Sequence, residues 1–123
     1  MSTVLIVDDS QIVRKMLSEL LQNSGLRVIE ATNGFEAQEK MQSALPDLVI
    51  TDIVMPKMNG YELCRWIKKE PEMQNIPVLI CSTKDQEFDR YWGMKQGADA
   101  YITKPFHPIE MMKTVKQLLQ SAR

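Results

Sequence analysis

The sequence predicts an α/β domain built on a parallel sheet of five strands, with helices packed on both faces. Three observations carry this reading. Short apolar runs alternate with longer segments of helical period, and the alternation recurs five times. Three of the five strand candidates are nearly continuous in apolar residues rather than alternating, as a strand covered on both faces requires. The length, 123 residues, suits one domain with one core. Alternating strands and helices imply right-handed crossovers and so a parallel sheet.

The strand candidates are residues 3 to 7 (TVLIV), 27 to 31 (RVIEA), 47 to 51 (DLVIT), 77 to 81 (PVLIC) and 100 to 102 (AYI), all rich in Val, Ile or Tyr. In the first helix Val13, Met16, Leu17, Leu20 and Leu21 fall on one stripe, with Ser10 as N-cap and Gly25 as the stop. The second helix runs from about 35 to 43, after Asn33 and Gly34. In the third, Gly60, Leu63, Cys64 and Ile67 keep the spacing of one helical face, and Pro71 ends it. The fourth covers about 86 to 95 and stops at Gly97. The fifth covers about 108 to 120, with Ile109, Met112, Val115 and Leu119 expected to point inward. The nine methionines are expected as core filler, and Trp92 as an ordinary packed residue.

Composition narrows the function. Fifteen Lys and Arg balance sixteen Asp and Glu, a formal net charge of -1, so the basic surplus of a general nucleic-acid binder is missing. The longest uninterrupted apolar run is four residues, as in Val4 to Val7, far below the roughly 20 that span a bilayer. Asp8 and Asp9 interrupt the only apolar stretch near the N-terminus, which argues against an export signal. Cys64 and Cys81 lie in apolar patterns without metal-ligand spacing, so a cytoplasmic protein with reduced thiols is expected.

In an open parallel sheet, ligands bind beyond the carboxyl ends of the strands. The first strand ends in Asp8 and Asp9, the third in Asp52, the fourth in Ser82 and Thr83, and the fifth in Thr103, Lys104 and Pro105. Asp8 and Asp9 alone would read as acids ahead of a helix, and Asp52 alone as the polar end of a strand. Together they bring three carboxylates, hydroxyls and an ammonium to one edge. Crowded carboxylates repel unless a cation compensates, and a hard divalent ion such as Mg2+ suits oxygen ligands.

The segments VLIVDDS (4 to 10), DLVITDIVMPKMNG (47 to 60), PVLICST (77 to 83) and GADAYITKPF (97 to 106) resemble the receiver domains of response regulators. The likeness covers essentially residues 1 to 123 as a single receiver domain, similar to the CheY-like single-domain regulators. It implies a flavodoxin-like, doubly wound (βα)5 fold with strand order 2-1-3-4-5. It also implies that a sensor histidine kinase, CheA-like in kind, phosphorylates Asp52. Mg2+, or Mn2+ with the same preference for oxygen, would be held by Asp8, Asp9, Asp52 and the backbone carbonyl of Val54, with Asp8 acting through water. Lys104, Ser82 and the backbone at Thr83 would bind the phosphoryl group. Ser82 and Tyr101 would form the switch, the hydroxyl moving in and the aromatic ring turning inward. The Lys104–Pro105 bond would be cis, and Pro56 and Gly60 would shape the loop after Asp52.

The same resemblance assigns the output to a partner protein docking on the face made by the fourth helix, fifth strand and fifth helix, where Lys84, Arg90, Lys95, Lys113 and Lys116 lie. No direct contact with nucleic acid, no membrane insertion and, because the chain stops after the fifth helix, no output domain are expected. DRYWGMKQGADAYITKPF (89 to 106) is similar to the PilH-type receivers of twitching motility. The protein is expected to accept a phosphoryl group and to catalyse at most its own dephosphorylation. That reaction should be slow, because apolar Val54 cannot orient the attacking water.

Other classes fit less well. A flavin carrier would need a Ser/Thr/Gly-rich loop where Asp8-Asp9-Ser10-Gln11 stands, and an aspartyl phosphatase would need its DxD on the first strand. His107 is the lone histidine, so a Ser-His-Asp set would have to use a residue at the start of the fifth helix, better read as a cap or surface group. A receiver fold acting as a phosphorylation-independent interaction module, and a phosphorelay intermediate or phosphate sink, remain as alternatives. The presence of Asp8, Asp9, Asp52, Ser82 and Lys104 weighs against the first.

Overall fold

A computed structural model describes residues 1–121. Its elements are β1 (Thr3–Val7), α1 (Gln11–Asn23), β2 (Arg27–Ala31), α2 (Gly34–Ser43), β3 (Leu48–Thr51), α3 (Gly60–Lys69), β4 (Val78–Ser82), α4 (Glu87–Lys95), β5 (Ala100–Thr103) and α5 (Pro108–Ser121). The strands form one sheet in the order β2-β1-β3-β4-β5, and each adjacent pair is parallel. This is the doubly wound arrangement expected from the sequence.

Side chains alternate across the sheet and split the core in two. Val4 and Ile6 of β1 pack with Leu17 and Leu21 of α1 and with Met111 and Val115 of α5. Leu5 and Val7 face the other way, into a cluster with Ala37 and Met41 of α2 and Leu63, Cys64 and Ile67 of α3. All these side chains are essentially inaccessible to water. Burying a Leu, Ile or Val so completely contributes about 1.5–3 kcal/mol each, which is why the strands read as continuous apolar runs.

The helix starts follow from local chemistry. Ser10 Oγ accepts from the N–H of Val13 at 3.3 Å, and Asn33 Oδ1 accepts from that of Glu36 at 2.9 Å. Asn59 and Glu62 form a reciprocal capping box at the start of α3. Gly25 and Gly97, with φ of 84° and 105°, supply the left-handed residues that follow α1 and α4.

Several expectations need correction. Met111 and Val115, not Ile109, mark the inward row of α5, and Ile109 is 75% exposed. Two residues before Met111 is 200° around a helix, so Ile109 must point away once Met111 is buried. On α1 the buried row is Leu17, Ser18 and Leu21, which leaves Met16 half exposed at its edge. Trp92 is also exposed, and only some methionines are core: Met41, Met55, Met73 and Met111 are buried, whereas Met1, Met16 and Met94 are not. Strands β3, β4 and β5 are shifted by about one residue at their ends, bringing Ser82 and Thr103 into the ladder. Among the described residues no helix is long and apolar enough to cross a membrane.

Candidate functional site

Parallel register builds the site. Val7 pairs with Thr51, so the next residues on β1 and β3, Asp8 and Asp52, stand side by side beyond the sheet. The N–H of Asp52 donates to the carbonyl of Val7 at 2.9 Å, and that of Asp8 to Ala31 at 3.1 Å, which fixes both backbones at this edge. Ser82 pairs with Thr103, so Lys104 leaves β5 beside the end of β4, and its N–H donates to the Ser82 carbonyl at 2.8 Å.

The carboxylates of Asp8, Asp9 and Asp52 offer oxygens within 4.8 Å of one another. Asp8 and Asp52 are buried, while Asp9 is exposed at the mouth. Lys104 Nζ sits 2.7 Å from Asp8 Oδ2 and 3.4 Å from Asp52 Oδ2, a single ammonium shared by two of three acids. Burial alone would lower the Lys104 pKa. The hydrogen bond to Asp8 and the charges of Asp52 and Asp8 outweigh it, and the ammonium is held above its ordinary value. Asp8 Oδ1 accepts from the N–H of Ser10 at 2.9 Å, and Asp52 Oδ1 from that of Ile53 at 2.7 Å. The site therefore carries more negative than positive charge and keeps carboxylate oxygens together, a donor set that suits a hard divalent cation.

The loop after β3 completes the surround. Val54 is 57% exposed, next in the chain to buried Asp52 and Ile53. Lys57 takes a φ of 73°, and the N–H of Met58 donates to the Pro56 carbonyl at 2.8 Å, a tight reversal between Pro56 and α3. Gly60 is dictated by space: a Cβ there would lie 2.0 Å from the carbonyl oxygen of Asp52. The Lys104–Pro105 peptide is cis, as expected.

Ser82 is fully buried, and its Oγ accepts from the N–H of Lys84 at 3.2 Å; Thr83 is exposed next to it. The ring of Tyr101 points inward, against Gly93 and Ile80, and its hydroxyl donates to the Lys84 carbonyl at 2.7 Å. Burial, with smaller contributions from Tyr61, Asp89 and Asp52 against the opposing charge of Arg90, pushes the Tyr101 hydroxyl up to about 12. Arg90 lies over the ring, 5.1 Å from its centre, and donates to the Tyr101 carbonyl. His107 is exposed beyond this edge, and its carbonyl accepts from the N–H of Met111 at the start of α5.

One contributor escaped the sequence reading. Arg14 donates from Nη1 to the carbonyl of Asp8 at 2.8 Å and from Nε to Glu30 at 3.1 Å. It ties α1, β2 and the acidic loop together. Its signal was a charged residue one turn into a helix whose neighbours Val13 and Leu17 face the core, opposite an acid near the end of a strand.

A family model described as the response regulator receiver domain matches residues 4–116. The chain is 41% identical to the protein PilH of Pseudomonas aeruginosa over 119 residues, 97% of this chain and 98% of PilH. It is 39% identical to the alkaline phosphatase synthesis transcriptional regulatory protein PhoP of Bacillus subtilis, covering 95% of this chain but 48% of that longer relative. The solved structure of the Vibrio cholerae chemotaxis protein CheY4 superposes with a TM-score of 0.91 at 35% identity, covering 96% of this chain and 98% of that one.

Proposed function

The chain belongs to the response regulator receiver domain family, and from that premise we propose that it is a phosphoacceptor whose Asp52 receives a phosphoryl group from a sensor histidine kinase. The observation that carries this reading is the shared ammonium: Lys104 Nζ lies within 3.4 Å of Asp52 Oδ2 and is bound to Asp8, in a cluster of three carboxylates.

A carboxylate is a weak nucleophile, so transfer depends on positioning and on neutralised charge more than on a base. An Asp52 oxygen forms the new O–P bond as the P–N bond of the kinase phosphohistidine breaks, and the imidazole nitrogen keeps the bonding pair. Ile53 holds one Asp52 oxygen through its N–H. Lys104, kept charged by its acidic neighbours, is placed to pair with the phosphoryl oxygens that arrive on Asp52. Asp8, Asp9 and Asp52, whose carboxylate oxygens lie together, would hold Mg2+ with the carbonyl of Val54, and the ion would supply neutralisation of the phosphoryl charge. Exposed, apolar Val54 offers no hydrogen bond to an attacking water, which supports a long-lived phosphoryl group.

Ser82 and Tyr101 are the switch in this reading, and the face of α4, β5 and α5 carries the output to a partner protein. The likeness to PilH and to the chemotaxis protein CheY4 supports a CheA-like kinase and a chemotaxis or twitching-motility circuit in the cytoplasm. The two buried, unpaired cysteines suit a reducing compartment.

The test is incubation with Mg2+ and acetyl phosphate followed by mass spectrometry. Wild type is expected to gain one phosphoryl group that chelation of Mg2+ prevents and Asp52→Asn abolishes. Equal behaviour of wild type and Asp52→Asn would overturn the assignment.

A further inference from the structure

Nine residues form α4, and of these Gly93 alone is buried. The reason is space: a Cβ at this position would stand 2.9 Å from Ile80 Cδ1 and 3.4 Å from Cδ2 of the Tyr101 ring. The missing side chain leaves the niche that the ring occupies, and Tyr101 is 6% exposed there. A helix that buries so little apolar surface depends on polar bonds to keep its place. Tyr61 of α3 supplies one, its hydroxyl donating to the Asp89 carbonyl in the first turn of α4 at 3.1 Å.

Arg90 follows Asp89 and precedes Gly93 by three residues, so it shares the helix face that meets Tyr101. From there one side chain holds two parts of Tyr101. Its guanidinium carbon lies 5.1 Å from the ring centre, within reach of a cation–π contact, and Nη1 donates to the Tyr101 carbonyl at 3.1 Å. The backbone bond keeps the guanidinium in place over the inward ring. At the far end of the ring the hydroxyl donates to the Lys84 carbonyl at 2.7 Å. Turning the ring outward would forfeit the hydroxyl bond and the packing against Gly93 and Ile80, and would take the ring from under the cation. None of these partners belongs to the acidic cluster of Asp8, Asp9 and Asp52, so the inward position needs neither a phosphoryl group nor a metal ion.

We propose, resting on the reading of Ser82 and Tyr101 as a switch, that Arg90 is a positioning residue that latches Tyr101 inward before any phosphoryl group reaches Asp52. The surface of α4 and β5 is then presented with the ring already in. A phosphoryl group acts on what remains to move, the Ser82 hydroxyl and the backbone of Lys84 that it shares with Tyr101. Lysine at position 90 would be a poorer latch, because an ammonium lacks the planar fork that stacks on a ring while donating to a carbonyl.

NMR of the full chain carrying ring-13C tyrosine, in EDTA and without a phosphoryl donor, reads the ring position. The tyrosines are Tyr61, Tyr91 and Tyr101, and Tyr101→Phe identifies the signal of the last. Wild type should show nuclear Overhauser contacts from the Tyr101 ring to the Gly93 α protons and the Ile80 δ1 methyl. Arg90→Ala should lower the ratio of inward to outward ring, measured by those contacts, by roughly fivefold, and Arg90→Lys should recover part of it. Arg90 is exposed, so neither change opens the core, and an otherwise unchanged amide spectrum separates a moved ring from a disturbed fold. A wild-type ring without those contacts, or Arg90→Ala with contacts at wild-type strength, overturns the latch. Both are read on unphosphorylated protein, so failure of Asp52 to gain a phosphoryl group by mass is a separate result.

Discussion

Ser82 and Tyr101, assigned to a common switch, share one partner: the N–H of Lys84 donates to Ser82 Oγ at 3.2 Å, and the Tyr101 hydroxyl donates to the Lys84 carbonyl at 2.7 Å. A displacement of the Ser82 hydroxyl therefore reaches Tyr101 through the backbone of a single loop residue. Tyr101→Phe keeps the ring against Gly93 and Ile80 and removes only the second bond, so denaturant unfolding should show a loss of about 0.5–1.5 kcal/mol. Tyr101→Ala removes the ring and opens a cavity, with an expected loss of about 3–5 kcal/mol.

Gly60→Ala tests the packing that seats Asp52. Alanine is the better helix former by about 1 kcal/mol, so propensity alone would make the variant more stable. The new Cβ would stand 2.0 Å from the Asp52 carbonyl oxygen, a backbone atom that cannot step aside without moving the acceptor. A lowered thermal midpoint is the expected outcome, with weakened Mg2+ binding in calorimetry.

Arg14→Ala should separate positioning from folding. The guanidinium holds the Asp8 carbonyl and Glu30 and touches no carboxylate of the acidic cluster itself. Partners behind the ligands of a metal commonly change affinity by roughly 10–100-fold, and Mg2+ titration followed calorimetrically should show a loss of about tenfold. Arg14→Lys, which can keep one of the two bonds, should recover part of it.

The fold and the acidic cluster were legible in the sequence for the same reason. Strands buried on both faces read as apolar runs, and register then carries the residue after each run to one edge, as Val7 with Thr51 does for Asp8 and Asp52. Arg14 and Lys84 were not legible in their roles, because they act through backbone carbonyl and N–H groups of residues that are neighbours only after folding. The phase of α5 is not legible in the sequence because Ile109, Met111 and Met112 are all apolar, and only the folded core, where Met111 joins the cluster that holds Leu79 and Ile102, decides which of them turns inward.

The cysteines give a pH dependence. Burial pushes the Cys81 thiol up to about 12 and that of Cys64 to about 11, from 9.0 when exposed. Between the unfolded and folded values the native state binds more protons than the unfolded chain, so stability falls as pH rises through this window. Below about pH 9 the contribution is fully present. Denaturant titrations should show a midpoint that declines above that pH, more steeply than in Cys64→Ala, and a thiol reagent at pH 8 should label neither cysteine until the protein is unfolded.

Charge at the cluster should set activity against stability. Two of the three clustered carboxylates share the ammonium of Lys104, which lies 2.7 Å from Asp8 and 3.4 Å from Asp52. Without a divalent cation, Asp52→Asn removes one negative charge from an overloaded site while Asp8 keeps its partner, so the variant should match or exceed wild type in denaturant midpoint. Lys104→Met does the reverse, leaving buried Asp8 without its counter-charge, and a loss of about 3 kcal/mol is expected. Binding to the folded state alone stabilises it by mass action, so added Mg2+ should raise the wild-type midpoint more than that of Asp52→Asn. If Mg2+ leaves the wild-type midpoint unchanged while a monovalent salt at equal ionic strength raises it, general screening rather than a cation site governs the cluster.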